Sequence, residues 1–222
     1  MSKKLKAIDF VKRIVFYTVG LFVLAMGISF AITSNLGVSP VSSIPYIVSI
    51  VLNIDLGICT TCVFILFILI QIVLMGKTFH MKNLLQIFSS SVFGFFVSAT
   101  NNIMSHVNVS DFYVVRLLFC LIGVVFVAIG VMLYLKADLI PLPGEGVMQA
   151  LCYRFHLDFP TSKLLFDCSV VMISSAISVV CLQKLVGIRE GTVICAIGAG
   201  LCMKLITKGI YHYKTVRLER KG

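Results

Sequence analysis

The chain has 222 residues, 59% hydrophobic and 13% charged, with a formal net charge of +10. A soluble domain carries about 45–50% apolar and about 25% charged residues, so the composition speaks against a soluble enzyme or binding module. The basic residues stand at the ends of apolar blocks, at Lys3, Lys4, Lys6, Lys12 and Arg13 and again from Lys204 to Lys221, which reads as membrane orientation and not as a nucleic-acid surface.

In chain order, the first predicted membrane span covers 14–35 and opens a stretch, Ile14 to Ile54, without a charged residue. Its charged start resembles a signal peptide, but the apolar run is longer than an h-region and no cleavage site follows, so it is kept as a span. After Ser34–Asn35–Leu36–Gly37–Val38–Ser39 comes Pro40, and then a short helix over 41–53. About 13 residues are too few to cross a bilayer. Such a helix either lies at the interface or re-enters the membrane.

The second span covers 57–76 and contains a lone CxxC, Cys59 and Cys62. With no second pair nearby it reads as helix packing, not as a zinc site. The third span covers 84–104, with Ser90, Gly94 and Ser98 at a spacing of four; small residues so placed let helices approach closely in lipid. The fourth covers 114–136. Lys136 anchors its end, Arg116 its start, and Asp138 reads as a loop or cap residue.

A second proline turn, Pro141–Leu142–Pro143, leads into a second short helix over 144–156. The fifth span covers 162–183, where Lys163 and Asp167 lie four residues apart on one helix face and can pair. The sixth covers 190–207, with Ala196 and Gly200 again at a spacing of four. Tyr17, Tyr113, Tyr134 and Tyr211 fall near span ends, where such rings settle at the interface. Six spans, with Lys77, Lys82, Lys136, Arg154 and Lys163 on the side of the basic termini, place both termini in the cytoplasm; Lys184 and Arg189 break the pattern.

Two stretches of the chain read alike. Gly20, Gly27, Leu36, Pro40 and Asp55 recur 103 residues later as Gly123, Gly130, Leu139, Pro143 and Asp158. An internal repeat sets the architecture before any single residue does. Each copy, about 14–104 and about 114–207, holds three spans and one short helix. Because three is odd, the second copy faces the other way. The expected fold is therefore all-α: one integral membrane domain over 1–222 made of two inverted three-helix repeats, a common plan for secondary transporters.

The run from Gly20, GLFVLAMGISFAITSNLGVSP, and its echo from Gly123, GVVFVAIGVMLYLKADLIPLPGEG, resemble the YczE/YyaS/YitT family of bacterial multi-pass membrane proteins. The resemblance covers roughly residues 14–206. It implies an integral protein of the bacterial cytoplasmic membrane, with membrane lipids as surroundings. It brings neither a substrate nor catalytic residues.

Polar groups at membrane depth are costly and usually face a bundle interior or a cavity. Around the two proline turns these are Asn35, Ser39, Ser42, Ser43 and Asp55 in the first copy, and Lys136, Asp138, Glu145, Gln149, Asp158, Lys163 and Asp167 in the second. A substrate site is expected at Asn35, Ser39, Pro40, Ser42, Ser43, Asp138, Pro143, Glu145 and Gln149. Glu145, Lys163 and Asp167 are the candidates for coupling transport to a proton or cation.

Each has a plainer alternative. Glu145 can cap its helix, and Lys163 with Asp167 can be a structural pair near the cytoplasmic boundary. Ser42 aligns with Glu145 and Thr60 with Lys163, so one copy is neutral where the other is charged. If the short helices point their starts inward, their dipoles favour an anionic group on the substrate.

Gln71, Asn101 and Asn102 read as helix glue. His80, His106, His156 and His212 are spread over separate loops, so no metal and no cofactor is expected. There is no Walker loop, GxSxG or HExxH, and no enzyme activity is expected. The reading is a secondary transporter of a small solute or ion, with a homodimer as a plausible assembly. Its rivals are a membrane scaffold that moves nothing and a membrane enzyme acting on a lipid or quinone.

Overall fold

The computed structural model describes residues 3–219, with side chains from Asp9 onward except 159, 160, 204 and those after 206. Among the described residues 83% are helical and none is in a strand. Eight helices follow in order: α1 (Lys3–Thr33), α2 (Pro40–Leu52), α3 (Leu56–Met75), α4 (Gln86–Ser105), α5 (Tyr113–Lys136), α6 (Pro143–Phe155), α7 (Phe159–Leu182) and α8 (Glu190–Glu219). Two 3-10 turns, Gly76–Thr78 and Met81–Leu85, join α3 to α4.

Five stretches are long and apolar enough to cross a membrane: Asp9–Thr33, Leu56–Thr78, Met81–Ser105, Tyr113–Lys136 and Thr161–Leu182. At about 1.5 Å per residue they exceed the roughly 30 Å of a hydrocarbon core. Their outer faces carry large exposed apolar side chains, Val73, Phe88, Phe95 and Val180 among them, as a lipid-facing surface requires. Five such helices are consistent with a multi-pass membrane protein. The sixth expected span, 190–207, is helical within α8, but its described apolar stretch, Glu190–Met203, is shorter than the five. The basic clusters at Lys3–Lys6 and from Lys204 onward, with Tyr211 and His212, lie outside the described side chains.

The helix boundaries follow from local chemistry. Pro40 and Pro143 occupy the first turns of α2 and α6, where a fixed φ suits the helix and the missing N–H costs nothing. Both helices end on left-handed residues, Asn53 at φ 53° and His156 at φ 55°. Asp55 caps α3, accepting from Gly57 N at 2.9 Å and Ile58 N at 3.1 Å, and the Ser98 hydroxyl of α4 donates to the same carboxylate. Asp158 caps α7, accepting from Thr161 N at 3.2 Å and Thr161 Oγ1 at 2.7 Å. Thr161 holds the Asp158 carboxyl below the usual range.

α1 and α5 cross at the centre with almost no space between their backbones. A Cβ added at Gly20 would lie 2.5 Å from Tyr134 N, and one at Gly27 would lie 2.6 Å from Val127 N. From the other side, Gly130 faces Leu24 and Gly123 faces the Gly27 carbonyl. Residue numbers rise on one helix as they fall on the other, so the two run antiparallel. α4 packs on α1 and α3, while α8 packs on α5. Each short helix packs on a long helix of the other half: α2 on α7, and α6 on α3. Phe64 stacks on Phe67 and Phe93, and Phe166 meets Phe67 edge-on, with ring centroids 5.3–5.9 Å apart.

Two expectations change. Tyr134 is 1% exposed and is not an interface ring. Gly20 lets it sink between α1 and α5, edge-on to Tyr17 at 6.2 Å. The small-residue stripes also part company. Gly94 packs on Gly57 and Ser90 presents its carbonyl to Thr61, whereas a Cβ at Gly200 would meet nothing within 4 Å.

Candidate functional site

The first turns of α2 and α6 lie inside the bundle and meet there. A Cβ on Gly144 would be 3.3 Å from Val41 Cγ1. Beside this meeting point is a cavity of about 210 Å³ lined by Ser39, Pro40 and Ser42 from the α2 start, by Glu145 from α6, and by Lys163 and Asp167 from α7. Apolar side chains of α1, α3, α4 and α5 form the other walls, with Cys195, Ala196 and Gly200 of α8.

Both helix starts are held by buried polar side chains. Gln71 of α3 donates to the Pro143 carbonyl at 3.2 Å and to Gln86 Oε1 of α4 at 3.0 Å. A Cβ at position 146 would run into the Gln71 amide, so Gly146 is what lets α6 come this close. The α2 start has a counterpart. Ser174 of α7 donates to Ser43 Oγ at 3.0 Å, and Ser43 donates to the Pro40 carbonyl at 2.7 Å. Gln71 and Ser174 are 103 residues apart, as are Ser43 and Gly146.

The charges stand on one wall. Lys163 Nζ and Asp167 Oδ2 are 2.5 Å apart, as the i,i+4 spacing predicts, but the pair faces the cavity. Asp167 is 9% exposed, and its Oδ1 has no hydrogen-bond partner. Glu145 neighbours Lys163, Asp167 and the buried Tyr134 hydroxyl, which itself has no partner at hydrogen-bonding geometry. Ser39, also in the lining, donates to Ser42 Oγ at 3.1 Å.

The sequence-predicted residues therefore divide. Ser39, Pro40, Ser42, Glu145, Lys163 and Asp167 line the cavity. Ser43 and Pro143 are buried directly behind it. Asn35, Asp138 and Gln149 are exposed and do not reach it. Asn35 and Asp138 are left-handed residues after α1 and α5 (φ 53° and 50°), a conformation short polar side chains tolerate. Asp138 pairs with Arg13 at 3.5 Å, and the Asn35 carbonyl accepts from Arg189 at 3.1 Å. Lys136 lies over the Phe16 ring, 5.3 Å from its centroid, and Arg116 pairs with Asp111 at 2.6 Å.

The sequence placed neither Tyr134, read as an interface ring, nor Ala196 and Gly200 of α8, read as helix packing, at the site, because nothing in their apolar runs marks which side faces inward. All eight cysteines are free. Among the described residues no three His, Cys, Asp or Glu side chains gather as metal ligands.

A sequence model for a family of unknown function, DUF6198, matches residues 11–208. The chain belongs to DUF6198. That match covers both copies of the repeat, and it does not carry the YczE/YyaS/YitT name. An uncharacterized protein of Haemophilus influenzae is 33% identical over 107 residues, which are 47% of this chain and 45% of that protein. The chain thus spans less than half the length of the curated relative it matches. No solved structure matches this DUF6198 protein.

Proposed function

We propose that this protein is a secondary transporter of a small solute or ion in the bacterial cytoplasmic membrane, with both termini cytoplasmic. Its two halves are inverted three-helix repeats, and α2 and α6 are their re-entrant helices. One observation carries the reading: two helix starts 103 residues apart line one central cavity with Glu145 and a Lys163–Asp167 pair. Irregular backbone at membrane depth survives only when protein or a water-filled cavity covers it, and binding sites at broken helices on a repeat interface are how many transporters alternate access.

The test uses the far ends of the short helices. In a background with the native cysteines replaced, Asn53→Cys and His156→Cys are treated with a membrane-impermeant maleimide in oriented vesicles. Inverted repeats place them on opposite sides, Asn53 outside and His156 inside. Ser42→Cys, at the cavity, is expected to react from either side as access alternates. Labelling of both ends from one side, or a Ser42→Cys that reacts from neither side, would refute the proposal and favour a closed scaffold.

A further inference from the structure

The cavity's chemistry narrows what could occupy it. Two carboxyl groups and one lysine line it, and the lysine is already engaged with Asp167 Oδ2 at 2.5 Å. What remains on offer is mostly acceptor: Asp167 Oδ1, buried and without a partner, and the Glu145 carboxyl in the same lining. A buried, unpaired carboxylate oxygen is costly unless a donor meets it. An anion would have to draw Lys163 away from Asp167 and leave a buried carboxylate uncompensated. A protonated amine needs no pair broken, since an ammonium carries three donors and no acceptor.

The helix starts favour anions, about half a unit charge each. At α6, however, Glu145 itself sits in the first turn and occupies that end. At α2, Ser39 and Ser42 line the cavity and Ser39 donates to Ser42 at 3.1 Å, which leaves the Ser39 oxygen as a further acceptor and the Ser42 hydroxyl free to donate or accept.

The remaining walls are apolar. Leu24, Ile28, Phe64, Phe93, Val124 and Val127 line the same space. A cavity of about 150 Å³ holds benzene, so about 210 Å³ admits a ring-sized apolar body with a short arm. We propose that this cavity binds a small apolar primary amine, its ammonium between Glu145 and Asp167 Oδ1 and its body against the Phe64–Phe93 wall. The inference rests on the reading of this cavity as a binding site, and it replaces the anionic preference that the helix dipoles alone suggest.

The experiment uses the full chain in lipid nanodiscs and follows thermal unfolding. Three probes share one skeleton: 2-phenylethylamine, 2-phenylethanol and 3-phenylpropanoate. A ligand bound to the native state raises apparent stability by RT ln(1 + L/Kd), where L is the free ligand concentration. The amine is expected to raise the midpoint with the logarithm of its concentration above Kd, the alcohol to act about tenfold more weakly, and the acid to have no effect. Asp167→Asn and Glu145→Gln are each expected to weaken the amine's apparent affinity about tenfold or more. Glu145→Gln keeps the Lys163–Asp167 pair and remains readable should Asp167→Asn not fold.

Stabilisation by the acid as strong as by the amine overturns the inference. So does an amine effect unchanged in both variants, or no stabilisation by any probe, in which case water is the occupant. Selective amine binding with Asn53→Cys and His156→Cys labelled from one side keeps the inference and sinks the transporter reading. Labelling from opposite sides with acid-selective binding does the reverse.

Discussion

The crossing of α1 and α5 makes a quantitative demand on four glycines. A methyl group at Gly27 would lie 2.6 Å from Val127 N and 2.8 Å from the Gly123 carbonyl, against 3.4–4 Å for ordinary contact. The helices must therefore part by roughly 0.8 Å, and forcing a methyl group into a packed core costs about 1–3 kcal/mol. Alanine is also the better helix former by about 0.8–1.0 kcal/mol, which offsets part of that cost. Gly200→Ala isolates the offset, because its methyl group would meet nothing within 4 Å. Gly27→Ala should then be less stable than Gly200→Ala by about 1–3 kcal/mol, measured by unfolding in mixed micelles with rising SDS. Gly27 and Gly123 crowd the same spot, each aimed at the other's carbonyl at 2.8 Å. Once the first methyl group has pushed the helices apart, the second costs less, so the double variant should lose less than the sum of the singles. Gly27→Ala as stable as Gly200→Ala, or strictly additive losses, would refute the close crossing.

Three further outcomes are expected. Gln71→Leu leaves the buried Gln86 Oε1 without its donor and removes the second bond to the Pro143 carbonyl, so stability in the same SDS titration should fall by about 1–3 kcal/mol. The Asp158 carboxyl is held low by Thr161. Its stabilising contribution is therefore full above the ordinary carboxyl value of about 3.9 and lost as pH falls through the lower folded value; Asp158→Asn should flatten the acid limb of a stability profile, and an unchanged limb would count against the cap. In proteoliposomes, Glu145→Gln and Asp167→Asn should reduce gradient-driven uptake about tenfold or more, while Gln149→Ala, at an exposed position of α6, should leave it unchanged.

Much of this fold is legible because the repeat recurs in residue types whose roles are local. A proline starts a helix, an aspartate caps one, and a glycine permits close approach, each from its own covalent structure. Gly20, Gly27, Gly123 and Gly130 accordingly all fall on one crossing, and Asp55 and Asp158 both cap. Glu145, Lys163 and Asp167 could be proposed because charge in an apolar run has few places to go. Less legible is which polar residues near a proline turn face inward. Asn35 and Asp138 are polar because their backbone is left-handed, not because they meet a ligand. Gln149, four residues beyond Glu145, shares its side of α6 but lies about 6 Å farther along the helix axis, where it is exposed. Tyr134 looks like an interface ring until the glycine opposite it is paired with it in space.

Ser42 and Glu145 occupy equivalent places in the two halves, yet one is neutral and the other acidic. Were the halves identical, exchanging their shapes would yield two molecules of the same energy, open to opposite faces and equally populated. A serine against a glutamate, with a lone lysine–aspartate pair on the acidic side, removes that degeneracy. On the proposed inverted arrangement, neutralising that acidic side would bias which face is open.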